Sequence, residues 1–279
     1  MWFIFALTAA ALFGIGQAVV KKSQIMLSPL IDNFLAMLIQ VLFIAPLMWY
    51  MGIQPHLIIT LLPYALIVSS FFICFYYVIG QGQVSLTATL LSTYPMITVL
   101  LSVFFLQEQL NLLQIFAIIF IVLGSFLLVY PQKSVISKKH NYSWIVWGTA
   151  GALLLGIADF LVEIATLKGD VRTFTYLMAL SYIPAVTICW FFDKNGRKVP
   201  RTNIRAFVPA VIGVTLVEMG IVFANLAFAA GSASLVAPVV AFQIVITALL
   251  AVKFLHEYLT KSQMWGICMT FIGVILISI

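Results

Sequence analysis

The residues best able to do chemistry in this chain are acids set inside apolar sequence: Asp159, Glu163 and Glu218. Charge at membrane depth is costly and usually faces a bundle interior or a wet cavity, so such acids are candidate proton carriers or cation sites. Asp159 precedes Lys168 by nine residues, about 13 Å along a helix rising about 1.5 Å per residue, which places it deep. Glu163 lies one turn further on, on the same face and nearer the surface, where it could instead pair with Lys168. Glu218 falls near the middle of its apolar run, with Asn225 two turns along. Each could equally be a hydrogen-bonded structural acid.

A second pair of acids belongs to a stretch that occurs twice. Phe105-Leu106-Gln107-Glu108-Gln109-Leu110 recurs as Phe254-Leu255-His256-Glu257-Tyr258-Leu259, an offset of 149 residues. The same offset aligns Ser85/Ser234, Ala88/Ala237, Ile97/Ile246, Thr98/Thr247, Ile118/Ile267 and Gly124/Gly273. Near each half's start an offset of 142 aligns Trp2/Trp144, Ala10/Ala152, Gly14/Gly156 and Val20/Val162. This internal duplication puts Gln17 where the second copy has Asp159, one polar and one acidic partner at matched positions. Asn111 with Gln114, and Thr260 with Gln263, have capping-box spacing. Glu108 and Glu257 therefore read as turn acids that accept N–H bonds near a positive helix end. His256-Glu257 resembles the start of a zinc-protease motif, but Thr260 stands where the second histidine would be. No metal and no cofactor are expected, and no nucleophile is paired with a base.

The elements that must position these residues are membrane helices. Hydrophobic residues make up 64% of the 279 positions and charged residues 8%, outside the range of soluble domains. About ten runs approach the roughly 20 residues needed to span a bilayer. They are expected near Trp2–Val20, Ile31–Tyr50, Leu57–Gly80, Val84–Leu106, Leu112–Tyr130, Ser143–Leu167, Phe174–Phe192, Ile204–Ala230, Ser234–Leu255 and Lys261–Ile279. A first unit over residues 1–130, a linker over 131–142 and a second unit over 143–279 follow. Five spans per half, an odd number, require the halves to insert upside down relative to each other. The fold class expected is thus all-α integral membrane, with ten transmembrane helices as two inverted five-helix repeats.

The net charge of +6 sits in short loops, as in cytoplasmic loops of membrane proteins, and nucleic acid is set aside as a partner. Twelve Lys and Arg residues fall on one face and Lys168 and Arg172 on the other, which places both termini outside by the positive-inside rule. Cys74, Cys189 and Cys268 lie singly in apolar runs and read as core residues.

The duplicated Phe-Leu-x-Glu-x-Leu, the following Gln114 or Gln263, Gly124 or Gly273, and Ala11-Leu12-Phe13-Gly14 resemble the drug/metabolite transporter superfamily and its ten-helix EamA-like branch. Pro95 also looks family-like, whereas the second copy has Ile244 at that register and Pro238 two turns earlier. Gly14 stands where small multidrug-resistance relatives carry an essential glutamate, so their proton-exchange mechanism does not carry over. The resemblance implies a peripheral position for the fifth and tenth helices. It also implies secondary transport, as an exporter, of a small metabolite or amphipathic organic solute across the cytoplasmic (inner) membrane. Protons are the expected coupling ion, and the lipid bilayer is the surrounding partner. The chain is expected to act as a monomer or homodimer. A channel or scramblase-like passive permeation protein is the alternative. Polar density around Thr87–Tyr94, including Thr89 and Tyr94, and Gln243 at Tyr94's register, marks the expected cavity wall. The candidate substrate and coupling residues are Asp159, Glu218, Glu163, Gln17, Tyr94, Gln243, Asn225 and Thr89.

Overall fold

A computed structural model describes residues 1–24, 27–80, 93–129, 143–194, 196–197, 207–255 and 260–278. Thr89 and Glu257, both singled out above, lie outside the described residues. The described chain is helical throughout: α1 (Trp2–Ser23), α2 (Pro29–Ile39), α3 (Ala45–Tyr50), α4 (Ile58–Gly80), α5 (Tyr94–Phe105) and α6 (Leu112–Val129). After them come α7 (Ser143–Lys168), α8 (Val171–Phe192), α9 (Phe207–Ala230), α10 (Ala233–Val240), α11 (Gln243–Leu255) and α12 (Lys261–Ile277). Among the described residues seven segments are long and apolar enough to cross a membrane, and three shorter apolar helices are Tyr94–Phe105, Leu112–Leu128 and Lys261–Ile277.

Local chemistry sets several boundaries. Ser28 caps α2 by accepting from the Ile31 N–H at 3.4 Å, with Pro29 in the first turn. Asp170 caps α8 by accepting from the Thr173 N–H at 3.1 Å. Both expected capping boxes form. Gln114 N–H donates to Asn111 Oδ1 at 2.8 Å while Asn111 N–H donates to Gln114 Oε1 at 3.0 Å. Thr260 and Gln263 make the same reciprocal pair.

Two interruptions matter for the site. Between α2 and α3 the backbone widens into a π-helical turn over Gln40–Ile44, where the Ala45 N–H reaches back to the Gln40 carbonyl. Pro46 follows at once. Its missing N–H and bulky ring disfavour a regular α-turn, and the wide turn accommodates both. The second interruption divides the expected single span Ser234–Leu255 into α10 and α11, with a turn at Ala241–Phe242. There the Phe242 N–H bonds the Val239 carbonyl, three residues back, and the Ile244 N–H bonds that of Ala241. Broken helices of this kind are tolerated at membrane depth where they line a cavity.

Packing crosses between the halves. In lipid no hydrophobic force drives helices together, so small residues that let backbones approach decide the contacts. α1 runs along α9, where a methyl placed on Gly16 would come within 2.8 Å of the Gly213 carbonyl. α6 and α12 pack on each other through Gly124, Gly266 and Gly273, leaving Leu112, Phe116 and Trp265 exposed on their outer faces.

One contact is made twice with the halves exchanged. A methyl on Gly14 would lie 2.7 Å from Ile246 Cβ and 2.9 Å from the Gln243 carbonyl; one on Gly156 would lie 2.6 Å from Ile97 Cβ and 2.9 Å from the Tyr94 carbonyl. Thr247 Oγ1 donates to the Gly14 carbonyl at 3.1 Å, and Thr98 Oγ1 to that of Gly156 at 3.2 Å. Every residue in the first set is the partner of one in the second at the offsets of 142 and 149.

Candidate functional site

Where these two matched contacts meet, the bundle encloses a cavity of about 40 Å³, room for on the order of three waters. α11 begins at Gln243 and α5 at Tyr94, so the first residue of each of these helices stands on the cavity wall. Gln17 comes from α1 and Asp159 from α7, one helical turn beyond Gly14 and Gly156 respectively. The four polar residues are therefore two duplicated pairs, Gln17/Asp159 and Tyr94/Gln243.

The pairs have diverged in what they bond. Gln17 Nε2 donates to Gln243 Oε1 at 3.0 Å, across α1 and α11. On the matching side Asp159 faces Tyr94 within electrostatic range, and the Tyr94 hydroxyl lies near the Gln243 side chain. Asp159 itself is 9% exposed, on the cavity wall, and has no hydrogen bond among the described residues. The rest of the wall is aromatic and aliphatic, with Phe13, Phe72, Tyr76, Tyr182, Val217 and Phe228 among its members. Tyr182 is fully buried and its hydroxyl has no hydrogen-bond partner. Asn225 also lines the cavity, and its Nδ2 donates to Thr175 Oγ1 at 3.1 Å.

Glu218 stands apart from that wall, at 0% exposure. Gln40 Nε2 donates to its Oε2 at 2.6 Å and the Tyr76 hydroxyl to its Oε1 at 3.1 Å. Tyr76 lines the cavity, so one side chain separates Glu218 from it. The π-helical turn is what presents Gln40 inward to this acid, while its Oε1 is left without a partner.

Glu163 departs from the expectation for it. It is 3% exposed and does not pair with Lys168, whose Nζ donates to the Tyr64 hydroxyl at 2.6 Å. Glu163 instead accepts from the Ala233 N–H at 2.8 Å, at the start of α10, and from Ser102 Oγ at 3.2 Å. Glu108 accepts from the next N–H, that of Ser234, at 3.3 Å. Its carboxyl also lies close to that of Glu163. Glu108 thus serves a helix end, as expected of a turn acid, but the end belongs to α10 and not to the helix after its own turn. Two acids joined at one helix N-terminus fasten α5, α7, α10 and the turn after α5 together.

Sequence reasoning passed over Asp32 and Gln40. Asp32 is fully buried one residue inside the expected second span and accepts from Gln24 Nε2 at 3.0 Å. The criterion that selected Asp159 applied to it as well; its place in a helix's first turn disguised it as a dipole-compensating residue. Gln40 carried only one signal, a proline six residues later.

Comparison with known proteins identifies the family. The model of the EamA-like transporter family matches residues 1–130 and again residues 142–279. An uncharacterized protein of Methanocaldococcus jannaschii is 30% identical over 135 residues, which is 96% of that protein but 48% of this chain. A solved crystal structure shares the fold, with a TM-score of 0.80 at 13% identity, covering 99% of this chain and 95% of its own. With the family matched in both halves of a chain of apolar helices, this multi-pass membrane protein belongs to the EamA-like transporter family.

Proposed function

We propose that the chain is a secondary active transporter that exports a small metabolite or amphipathic organic solute across the cytoplasmic membrane by alternating access. Its ten spans form two inverted five-helix repeats, residues 1–130 and 143–279, joined by the 131–142 linker. The observation that carries this reading is the cavity itself. Its polar wall includes two duplicated residue pairs from opposite halves, Gln17/Asp159 and Tyr94/Gln243, as a site at the interface of inverted repeats would have. Rocking one half against the other would expose such a site to each side in turn.

Proton coupling is supported by two buried acids, Asp159 on the wall and Glu218 behind Tyr76. The test uses purified protein in liposomes given candidate solutes with and without a pH gradient. Saturable flux that rises with the gradient is expected; equal flux under both conditions removes the coupling, and flux that neither saturates nor exchanges supports passive permeation instead. Unaltered coupled flux in Asp159→Asn would leave Glu218 as the proton-bearing acid.

A further inference from the structure

We infer that the solute accepted by this cavity is a compact organic cation bearing at least one N–H, a protonated amine, with Asp159 as its counter-ion. The inference rests on the transporter reading above and narrows it to a substrate class. Asp159 differs from every other buried acid described. Asp32, Glu163 and Glu218 each accept a hydrogen bond from a protein donor, whereas Asp159 accepts none and lines the cavity. Buried charge is normally paired, and its missing partner has to come from the cavity.

No Lys, Arg or His is among the described residues lining the cavity. The cations nearest in sequence are committed elsewhere, Lys168 to Tyr64 and Arg172 to Asp170. Among the described residues the walls therefore hold no cationic side chain to pair with an anionic solute or to neutralise the acid. The cavity they enclose also suits a cation: its lining includes the aromatic residues Tyr94, Tyr76, Tyr182 and Phe13, and aromatic ring faces attract positive charge.

Hydrogen-bond accounting then separates amines from quaternary cations. The Tyr182 hydroxyl is buried without a partner on the same wall, and a hydroxyl oxygen accepts as readily as it donates. An ammonium has several N–H groups to offer the acceptors of this wall, Asp159 among them; a trimethylammonium can balance the charge but donates to none of them. The cavity's small volume limits the polar head to a few heavy atoms. Glu218, already bonded by Gln40 and Tyr76, is left to the proton.

The test compares four probes of one shape on the purified full chain: phenethylamine, its trimethylammonium analogue, 2-phenylethanol and 3-phenylpropionate. Thermal stabilisation gives binding, and counterflow in liposomes gives transport. Phenethylamine is expected to bind and exchange, the quaternary analogue on the order of tenfold more weakly, since a hydrogen bond to a charged group is lost, and the neutral and anionic probes not to respond. Asp159→Asn is expected to abolish the amine response. Should that variant fail to fold, Tyr182→Phe keeps the question open to refutation, because it should weaken the amine and leave the quaternary analogue unchanged. Saturable exchange of the alcohol or the carboxylate with no response to the amine would overturn the substrate class while leaving the transporter standing. Absence of saturable flux for these probes and for a metabolite library would instead overturn the transporter reading beneath it.

Discussion

Gln40 and Glu218, 178 residues apart in sequence, meet in a 2.6 Å hydrogen bond inside the bundle. The donor is delivered by a π-helical turn and the acid comes from the middle of α9. Glu218 has no solvent contact, so this donor is part of what makes a carboxyl tolerable there. Gln40→Leu is expected to lower stability by about 1–3 kcal/mol, the cost of a buried polar group losing its partner. Combining it with Glu218→Leu should cost less than the two single changes summed, because no orphaned acid remains. Thermal unfolding of the three variants in one detergent checks this; strict additivity would show that the bond contributes nothing.

The exchanged glycine contacts predict matched sensitivity. Gly14→Ala and Gly156→Ala should each destabilise by about 1–3 kcal/mol through overpacking, since the added methyl meets Ile246 or Ile97 below 3 Å. Trimming the facing side chain, Ile246→Ala or Ile97→Ala, should restore only a small part of the loss, because it removes Cγ2 but keeps the Cβ at 2.7 or 2.6 Å and leaves the backbone carbonyl at 2.9 Å. Unfolding midpoints of the single and paired variants measure it.

Glu163 and Lys168 should behave as unrelated residues. Glu163→Ala strips the Ala233 N–H and Ser102 of their acceptor and is expected to destabilise by about 1–3 kcal/mol. Lys168→Met loses an exposed contact with Tyr64 and should cost under about 1 kcal/mol. A double-mutant cycle between them is expected to give a coupling near zero, and a coupling above about 1 kcal/mol would restore the ion pair read from their spacing.

Orientation follows from the loop charges. With the Lys- and Arg-rich face inward, a reporter active only in the cytoplasm should be silent when fused after Ile279 and active when inserted in the 131–142 linker. The opposite pattern would place both termini inside.

Much of the architecture was legible from residue pattern because the signals are local or repetitive. Apolar length marked the helices, and the end of α8 at Phe192, for example, coincides with the run Phe174–Phe192. Capping chemistry at Asn111/Gln114 and Thr260/Gln263 is contained within four residues. Of the candidate residues, Asp159, Gln17, Tyr94, Gln243 and Asn225 share one cavity wall, while Glu218 lies one side chain behind it and Glu163 is drawn away to α10.

By itself the sequence determined that this chain is built of membrane helices in duplicate, and that Gln17/Asp159 and Tyr94/Gln243 are matched positions. Composition and register survive in the linear order of residues, so no folding is needed to read them. Tertiary structure decided which acid is left without a partner. Asp159 and Glu163 stand one turn apart on the same helix, and linear spacing treats them alike. The packing of α7 sends one into the cavity and the other to the start of α10, a difference set by how neighbouring helices are rotated and staggered. It decided equally that a π-helical turn would carry Gln40 to Glu218. Such pairings depend on the relative placement of helices remote in sequence, and no local pattern encodes that.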